Sequence, residues 1–223
     1  MLAKYRAAAL WGALFAFAAM GTAHAQQNIV GVGVAYFSNH STAPDFSGPF
    51  TPPGGNLNVG DATTVGVSFT HYFDDHWAAA FLFGIPPRID TDGRGTLAPL
   101  GKISTVTANA PAFLAEYFFL PPKSAYQPYV GLGVNYTNFS DTSASQSLEN
   151  SLGGPTSIKL QNSAGIAGQI GVKVPISDSW LLDFNLVAAD VRSRESATTG
   201  FITRTTTIDF NPIVYTVSIG YRF

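Results

Sequence analysis

The sequence predicts an all-β fold, an eight-stranded antiparallel up-and-down transmembrane β-barrel, and three observations carry that prediction. Large apolar residues alternate with small or polar ones through most of the chain, broken by clusters of Gly, Pro, Asn, Asp and Ser. The connections between these runs are alternately short and long, as expected of a barrel with turns on one rim and loops on the other. Charged residues make up only 12% of the chain while aromatics reach 13%, against about 25% charged in ordinary soluble domains. So few charges beside so many exposable aromatics point to a surface that meets lipid. No apolar run after Met20 is long enough for a spanning helix, so strands must cross the membrane.

Residues 1–25 stand apart from the barrel. Lys4 and Arg6 precede an almost wholly apolar run to Met20, and Ala23-His24-Ala25 gives small residues at both recognition positions of a secretory cleavage site. A cleaved signal peptide over 1–25 and a barrel over 26–223 follow, with the export route leading to a Gram-negative outer membrane. The first strand is read at about 29–38, where "IVGVGVAYFS" alternates. The second covers about 58–73, with Val65, Val67 and Phe69 opposite Gly66, Ser68 and Thr70. The third starts at Trp77 and puts Ala79, Phe81 and Phe83 on one face. The fourth, about 102–119, sets Phe113, Ala115, Tyr117 and Phe119 opposite Leu114, Glu116 and Phe118. The fifth is "PYVGLGVNYTNF", and the sixth, about 158–174, alternates Ile166, Ile170, Val172 and Val174 with small and polar residues. The seventh starts at Trp180, with Leu182, Phe184 and Leu186 opposite Asp183, Asn185 and Val187. The eighth runs from about 202 to Phe223, ending on "VSIGYRF".

Residues 74–75, 120–126 and 175–179 read as short turns. Residues 39–57, the 93–101 region, 140–157 and 195–201 read as the longer loops. Trp77, Tyr117, Phe119, Trp180, Tyr221 and Phe223 all lie beside short turns or at the C-terminus, a girdle at one membrane interface. A soluble lipocalin-type barrel would reverse the pattern, with its outer face polar. A β-sandwich would alternate too, but would not explain the loop asymmetry together with the terminal Phe223.

Eight strands leave an interior that side chains nearly fill or that one small ligand can occupy, which argues against a wide aqueous pore. The inward face mixes Gly, Ser, Thr and Asn with Leu82, Leu114, Phe118, Val187 and Val191, a lining suited to something largely apolar. Glu116, Lys173, Asp183 and Arg222 fall on inward positions near the periplasmic ends of their strands. Two acids and two bases can form a neutral, paired floor there, since a lone buried charge is very costly; alternatively they sit in water inside the rim. Pro86, Pro87 and Pro111 cannot donate ladder hydrogen bonds, so they mark a lateral opening or merely a bend in the wall. Symmetric pairing about residues 93–95 would set Pro111 nearer Ala80 than Pro86, giving two separate weak points.

Other chemistries find little support. The chain has no cysteine, which removes disulfides and thiolate catalysis. Ser68 lies three positions before His71 and so on the opposite strand face, which argues against a local nucleophile–base pair. Asp74, Asp75 and His76 are adjacent turn residues, a poor metal site. "GVGV" at Gly31 and Gly33 has no helix after it to form a phosphate loop. No cofactor, metal or enzyme activity is expected, and a net charge of −2 without a basic stripe gives no nucleic-acid surface.

Several stretches resemble the outer-membrane protein W family: "QPYVGLGVNY" at 127–136, "GIAGQIGVK" at 165–173, Trp180, Pro212, and the ending "GYRF". The resemblance spans essentially the whole mature chain. It implies an eight-stranded barrel with a hydrophobic lumen that admits small apolar molecules and releases them sideways, and a closely similar group serves alkane import. It also implies a constriction matched by Leu82 and Val187. The smaller Val187 departs from the family's Trp, and Lys173 stands where other members can carry an acid. The expected partners are outer-membrane lipid and lipopolysaccharide, a small hydrophobic ligand, and the barrel-assembly machinery through the C-terminal strand, with the protein a monomer. The competing reading is a structural or surface-recognition barrel for phage, toxin or host.

Overall fold

Every backbone donor and acceptor inside a bilayer needs a partner, and a cylinder of strands with no free edge meets that demand. The computed structural model describes residues 27–51, 53–122 and 124–223; the signal peptide expected over 1–25 lies outside the described residues. Its strands are β1 (Asn28–Asn39), β2 (Gly55–Val59), β3 (Ala62–Tyr72), β4 (Trp77–Gly84), β5 (Arg88–Gly95), β6 (Lys102–Asn109), β7 (Ala112–Phe118), β8 (Gln127–Ala144), β9 (Thr156–Leu160), β10 (Ser163–Pro175), β11 (Trp180–Ala189), β12 (Arg192–Thr199), β13 (Ile202–Asp209) and β14 (Pro212–Arg222). The barrel follows the order β1-β3-β4-β7-β8-β10-β11-β14, all antiparallel, and β14 pairs back onto β1 from Ile29↔Arg222 to Asn39↔Pro212.

The alternation in sequence becomes two faces of this wall. Val32, Phe113, Leu132, Ile166, Val217 and Phe223 are exposed on the outside, while Leu114, Phe118, Tyr129 and Val187 are buried within. The periplasmic turns are tight. In the first, Asp74 Oδ1 accepts from the amides of His76 and Trp77, both at 2.7 Å, and these donors hold its carboxyl below the usual carboxylate range.

Six of the eight strands expected from sequence are each divided in two. The breaks fall at Gly60-Asp61, Ile85–Pro87, Ala110-Pro111, Gln161-Asn162, Asp190-Val191 and Phe210-Asn211, leaving β1 and β8 uninterrupted. Beyond the breaks the wall separates into two sheets. One contains β2, β5, β6 and the outer half of β8; the other contains β9, β12 and β13. Their facing side chains form an apolar core that includes Leu57, Val59, Ile103, Val106, Ile158 and Phe210. Helix α1 (Gln146–Leu152), capped by Ser145 and ended by left-handed Gly153, drives Leu148 into this core. Residues 195–201, read from sequence as a long loop, instead form most of β12 and a tight turn into β13, because Ser, Thr and Ala continue the alternation.

The two sheets are stitched at both seams. Asn162 Oδ1 accepts from Asn138 Nδ2 at 3.0 Å and from the Phe139 amide at 3.3 Å, which holds the β9–β10 corner against β8. On the other side, the segment before β2 bridges to the free edge of β13: Thr42 exchanges backbone bonds with Asp209, and Ser47 with Thr205. An open edge strand is thereby covered.

Candidate functional site

The interior divides by height into a polar floor, an apolar middle and a cavity that reaches the wall. At the floor, β10 places Lys173 opposite Asp183 of β11. Lys173 Nζ lies 3.6 Å from Glu116 Oε2 and 3.5 Å from Asp183 Oδ2, with the lysine and glutamate side chains only 2% and 1% exposed. Its ammonium also sits over two rings, 4.0 Å from the centroid of Tyr129 and 5.1 Å from that of Phe118. Such contacts stabilise a desolvated cation by roughly 2 kcal/mol. The network continues through Tyr129 OH, which donates to Asp183 Oδ1 at 2.9 Å, and through Gln169 Nε2, which donates to Tyr129 OH at 3.3 Å. Tyr72, Phe118 and Tyr129 pack in series, at 4.9 and 5.0 Å between centroids, in one buried cluster with Ile29, Ala78 and Leu181.

Arg222 does not join this group. Its Nη1 donates to the Pro122 carbonyl at 3.4 Å in the β7–β8 turn, and no ion pair to it is formed among the described residues. The expected neutral quartet is therefore corrected to one lysine between two carboxylates, helped by ring faces and amides. Sequence reasoning missed Tyr72, Tyr129 and Gln169. The available signal was that they occupy inward positions at the same height as Glu116 and Lys173.

Above the floor, Leu114 packs with Ala80, Ala167 and Val187, and Leu82 and Val214 lie against this layer. A cavity of about 120 Å³ opens over it, and Leu82, Val187 and Val191 line the cavity. Its walls also include lipid-facing Val67, Phe83 and Ile85 together with Pro86, Pro87 and Ala110, so the space runs from the inside of the barrel into the break in its side. Strand pairing explains the break. The β4–β7 ladder stops at Leu82↔Ala112 and the β5–β6 ladder begins at Arg88↔Thr107. Between them the wall retains the Ala108 N–H to Pro87 C=O bond at 3.1 Å. The two weak points expected from sequence are thus one. The hairpin is centred near Leu97 rather than at 93–95, because Asp92 pairs with Lys102. Ala80 pairs with Leu114; Pro86 and Pro87 line the cavity, and Pro111 lies in the facing stretch between Thr107 and Ala112 where both ladders are interrupted.

The aromatics at the short-turn end also assemble. Trp77 packs edge-on against Tyr117 at 5.1 Å and Tyr117 against Phe119 at 5.4 Å; Trp180 meets Tyr221 at 5.0 Å, and Tyr221 stacks near Phe223 at 6.4 Å. All six side chains are on the outside of the floor level, around the barrel's periplasmic rim.

Comparison with known proteins agrees with this architecture. Outer membrane protein W of Vibrio cholerae is 31% identical over 169 residues, covering 75% of this chain and 76% of its own length. The crystal structure of the outer membrane protein OprG from Pseudomonas aeruginosa superposes with a TM-score of 0.81 at 28% identity, covering 88% of this chain and 95% of that one. The dibenzothiophene metabolism operon protein PahQ of Pseudomonas aeruginosa is 25% identical over 173 residues, covering 77% of this chain and 76% of its own. Residues 40–223 match the OmpW family as a whole, and the chain accordingly belongs to that family of Gram-negative outer-membrane barrels.

Proposed function

We propose that this barrel takes up small hydrophobic molecules passively and releases them sideways into the outer membrane. The carrying observation is that its central cavity reaches the lipid-facing side of the wall at Ile85–Pro87 while the periplasmic end is filled by Lys173, Glu116, Asp183 and stacked rings. An apolar solute in the cavity meets Leu82 and Val187 and then the gap, beside polar groups that include Asn135 and Asn185. It never has to displace the charged floor. A relative belonging to a dibenzothiophene metabolism operon accords with an apolar cargo. The lining offers few directional groups, so selectivity should follow size and polarity more than chemical identity, a methylene more or less changing binding by only about 1–3 kcal/mol.

The test repairs the wall. Pro86→Val, Pro87→Val and Pro111→Val together should let β4 and β7 pair through the break and leave the barrel folded. Uptake of a labelled alkane by cells carrying that variant should fall to the level of cells lacking the protein. Undiminished uptake would show that the prolines only bend the wall. A barrel serving surface recognition alone would give no uptake advantage even with the native sequence.

A further inference from the structure

Two buried charged side chains lie outside the path just described. Glu195 on β12 and Arg204 on β13 are 2% and 7% exposed. The register pairs Glu195 with Thr206 and Ala197 with Arg204, so the two are diagonal neighbours on the inward face of the outer three-stranded sheet, close enough to meet. They do not pair: neither takes part in an ion pair among the described residues. Arg204 Nε and Nη1 are buried with no hydrogen-bond acceptor among the described residues. Burial pushes the Glu195 carboxyl up to about 7. Both side chains line one cavity of about 40 Å³ between the outer sheets, together with Phe46, Leu97, Ile103 and Leu148.

A guanidinium stays charged at any physiological pH, and leaving its donors unmet in an apolar setting is costly. The cavity is therefore short of one acceptor carrying one negative charge. Its volume exceeds the roughly 10–15 Å³ that a single water requires but is too small for a long chain. A doubly charged anion would be repelled by Glu195 whenever that group ionises, and an ammonium would leave Arg204 unmet. We propose that this cavity is a binding subsite for a short-chain aliphatic monocarboxylate, with Arg204 taking the carboxylate and the apolar lining taking the alkyl chain. Glu195, in its neutral form, donates a hydrogen bond to the same carboxylate. The site lies beyond the strand breaks, on the extracellular side, and its occupancy does not depend on whether the barrel transports anything.

The measurement is equilibrium dialysis of radiolabelled butyrate against the mature protein folded in detergent micelles, with circular dichroism checking the fold of each variant. One saturable equivalent is expected. Arg204→Gln should weaken binding about tenfold or more, as loss of a charge-assisted hydrogen bond does. Ala197→Leu fills the cavity without touching either charge and should abolish binding. Glu195→Gln keeps a neutral donor and should bind within about threefold of the native protein. Butylamine should not compete. The proposal is overturned if the native protein binds no butyrate saturably, which would mean that the cavity holds only water. It is equally overturned if folded Arg204→Gln binds as tightly as the native protein, or if butylamine displaces the label. Should Arg204→Gln not fold, the cavity-filling variant decides: folded Ala197→Leu with native affinity refutes the site.

Discussion

Lys173 is the residue on which the floor depends. Among the described residues it is the cation paired with both Glu116 and Asp183, at 3.6 and 3.5 Å, so Lys173→Met would leave two buried carboxylates without their counter-charge. Removing one partner of a buried pair typically costs about 3–5 kcal/mol, and the urea midpoint in lipid vesicles should fall accordingly. Glu116→Gln leaves Lys173 and Asp183 as a matched pair and should cost much less. Arg222→Gln should change the midpoint little, because among the described residues the Arg222 side chain forms no ion pair and hydrogen-bonds the Pro122 carbonyl. A Lys173→Met barrel as stable as the native one would show that the rings, not the charges, hold the floor. Glu195 sets a pH dependence in the opposite sense from a paired carboxylate. Its folded pKa of about 7 lies above the ordinary value near 4.3. Its neutral form therefore stabilises the folded state fully below about pH 4.3, and this advantage, at most about 4 kcal/mol, is lost as pH rises through 7. Native protein should melt at lower temperature at pH 8 than at pH 5, and Glu195→Gln should narrow that difference.

Among the elements, β7 and β8 show how closely the wall is drawn together. A Cβ at Gly133 would collide with the Phe113 carbonyl oxygen and crowd the Leu114 backbone, in the register Leu114↔Gly133. Forced overpacking commonly costs about 1–3 kcal/mol, so Gly133→Ala should lower the unfolding midpoint by that amount; an unchanged midpoint would mean that the strands can move apart freely. Strand existence and facing were legible because lipid selects large apolar residues at every second outward position. The breaks were not, since large apolar residues keep to odd positions from Leu57 to Phe69 although the buried face switches from Leu57 and Val59 to Thr70 and Tyr72 across Gly60-Asp61, and odd positions stay buried on both sides of Asp190-Val191. The β5–β6 turn was misplaced for a related reason: Gly93 and Gly95 look like a turn, but Asp92 pairs with Lys102 and the reversal occurs past them. The lysine and both carboxylates of the floor were visible as inward charges. Arg222 was misassigned because its long side chain reaches the adjacent turn. Glu195 escaped notice because Ser, Thr and Gly around it resemble a loop.

For the whole molecule, the decisive feature is a belt of large apolar side chains on the outer surface, while the polar and charged groups that are buried face inward. Val32, Leu132, Ile166 and Val217 are 47%, 69%, 67% and 53% exposed, which no water-soluble monomer tolerates as a continuous belt. The mature chain should remain folded and monodisperse in detergent and aggregate when detergent is removed, as read by light scattering. A monodisperse globule in plain buffer would contradict the outer-membrane placement. The same molecule also has a spine. β8 runs for 18 residues from the polar floor into the outer sheets, pairing with β7 below and β6 above. The four-stranded outer sheet thus hangs from β8 as a door hangs from its post, its far edge at β2 and the proline gap along its lower sill. Under the lateral release proposed above, that sheet forms the upper border of the gap, so a partner gripping it at the cell surface should alter the rate of uptake.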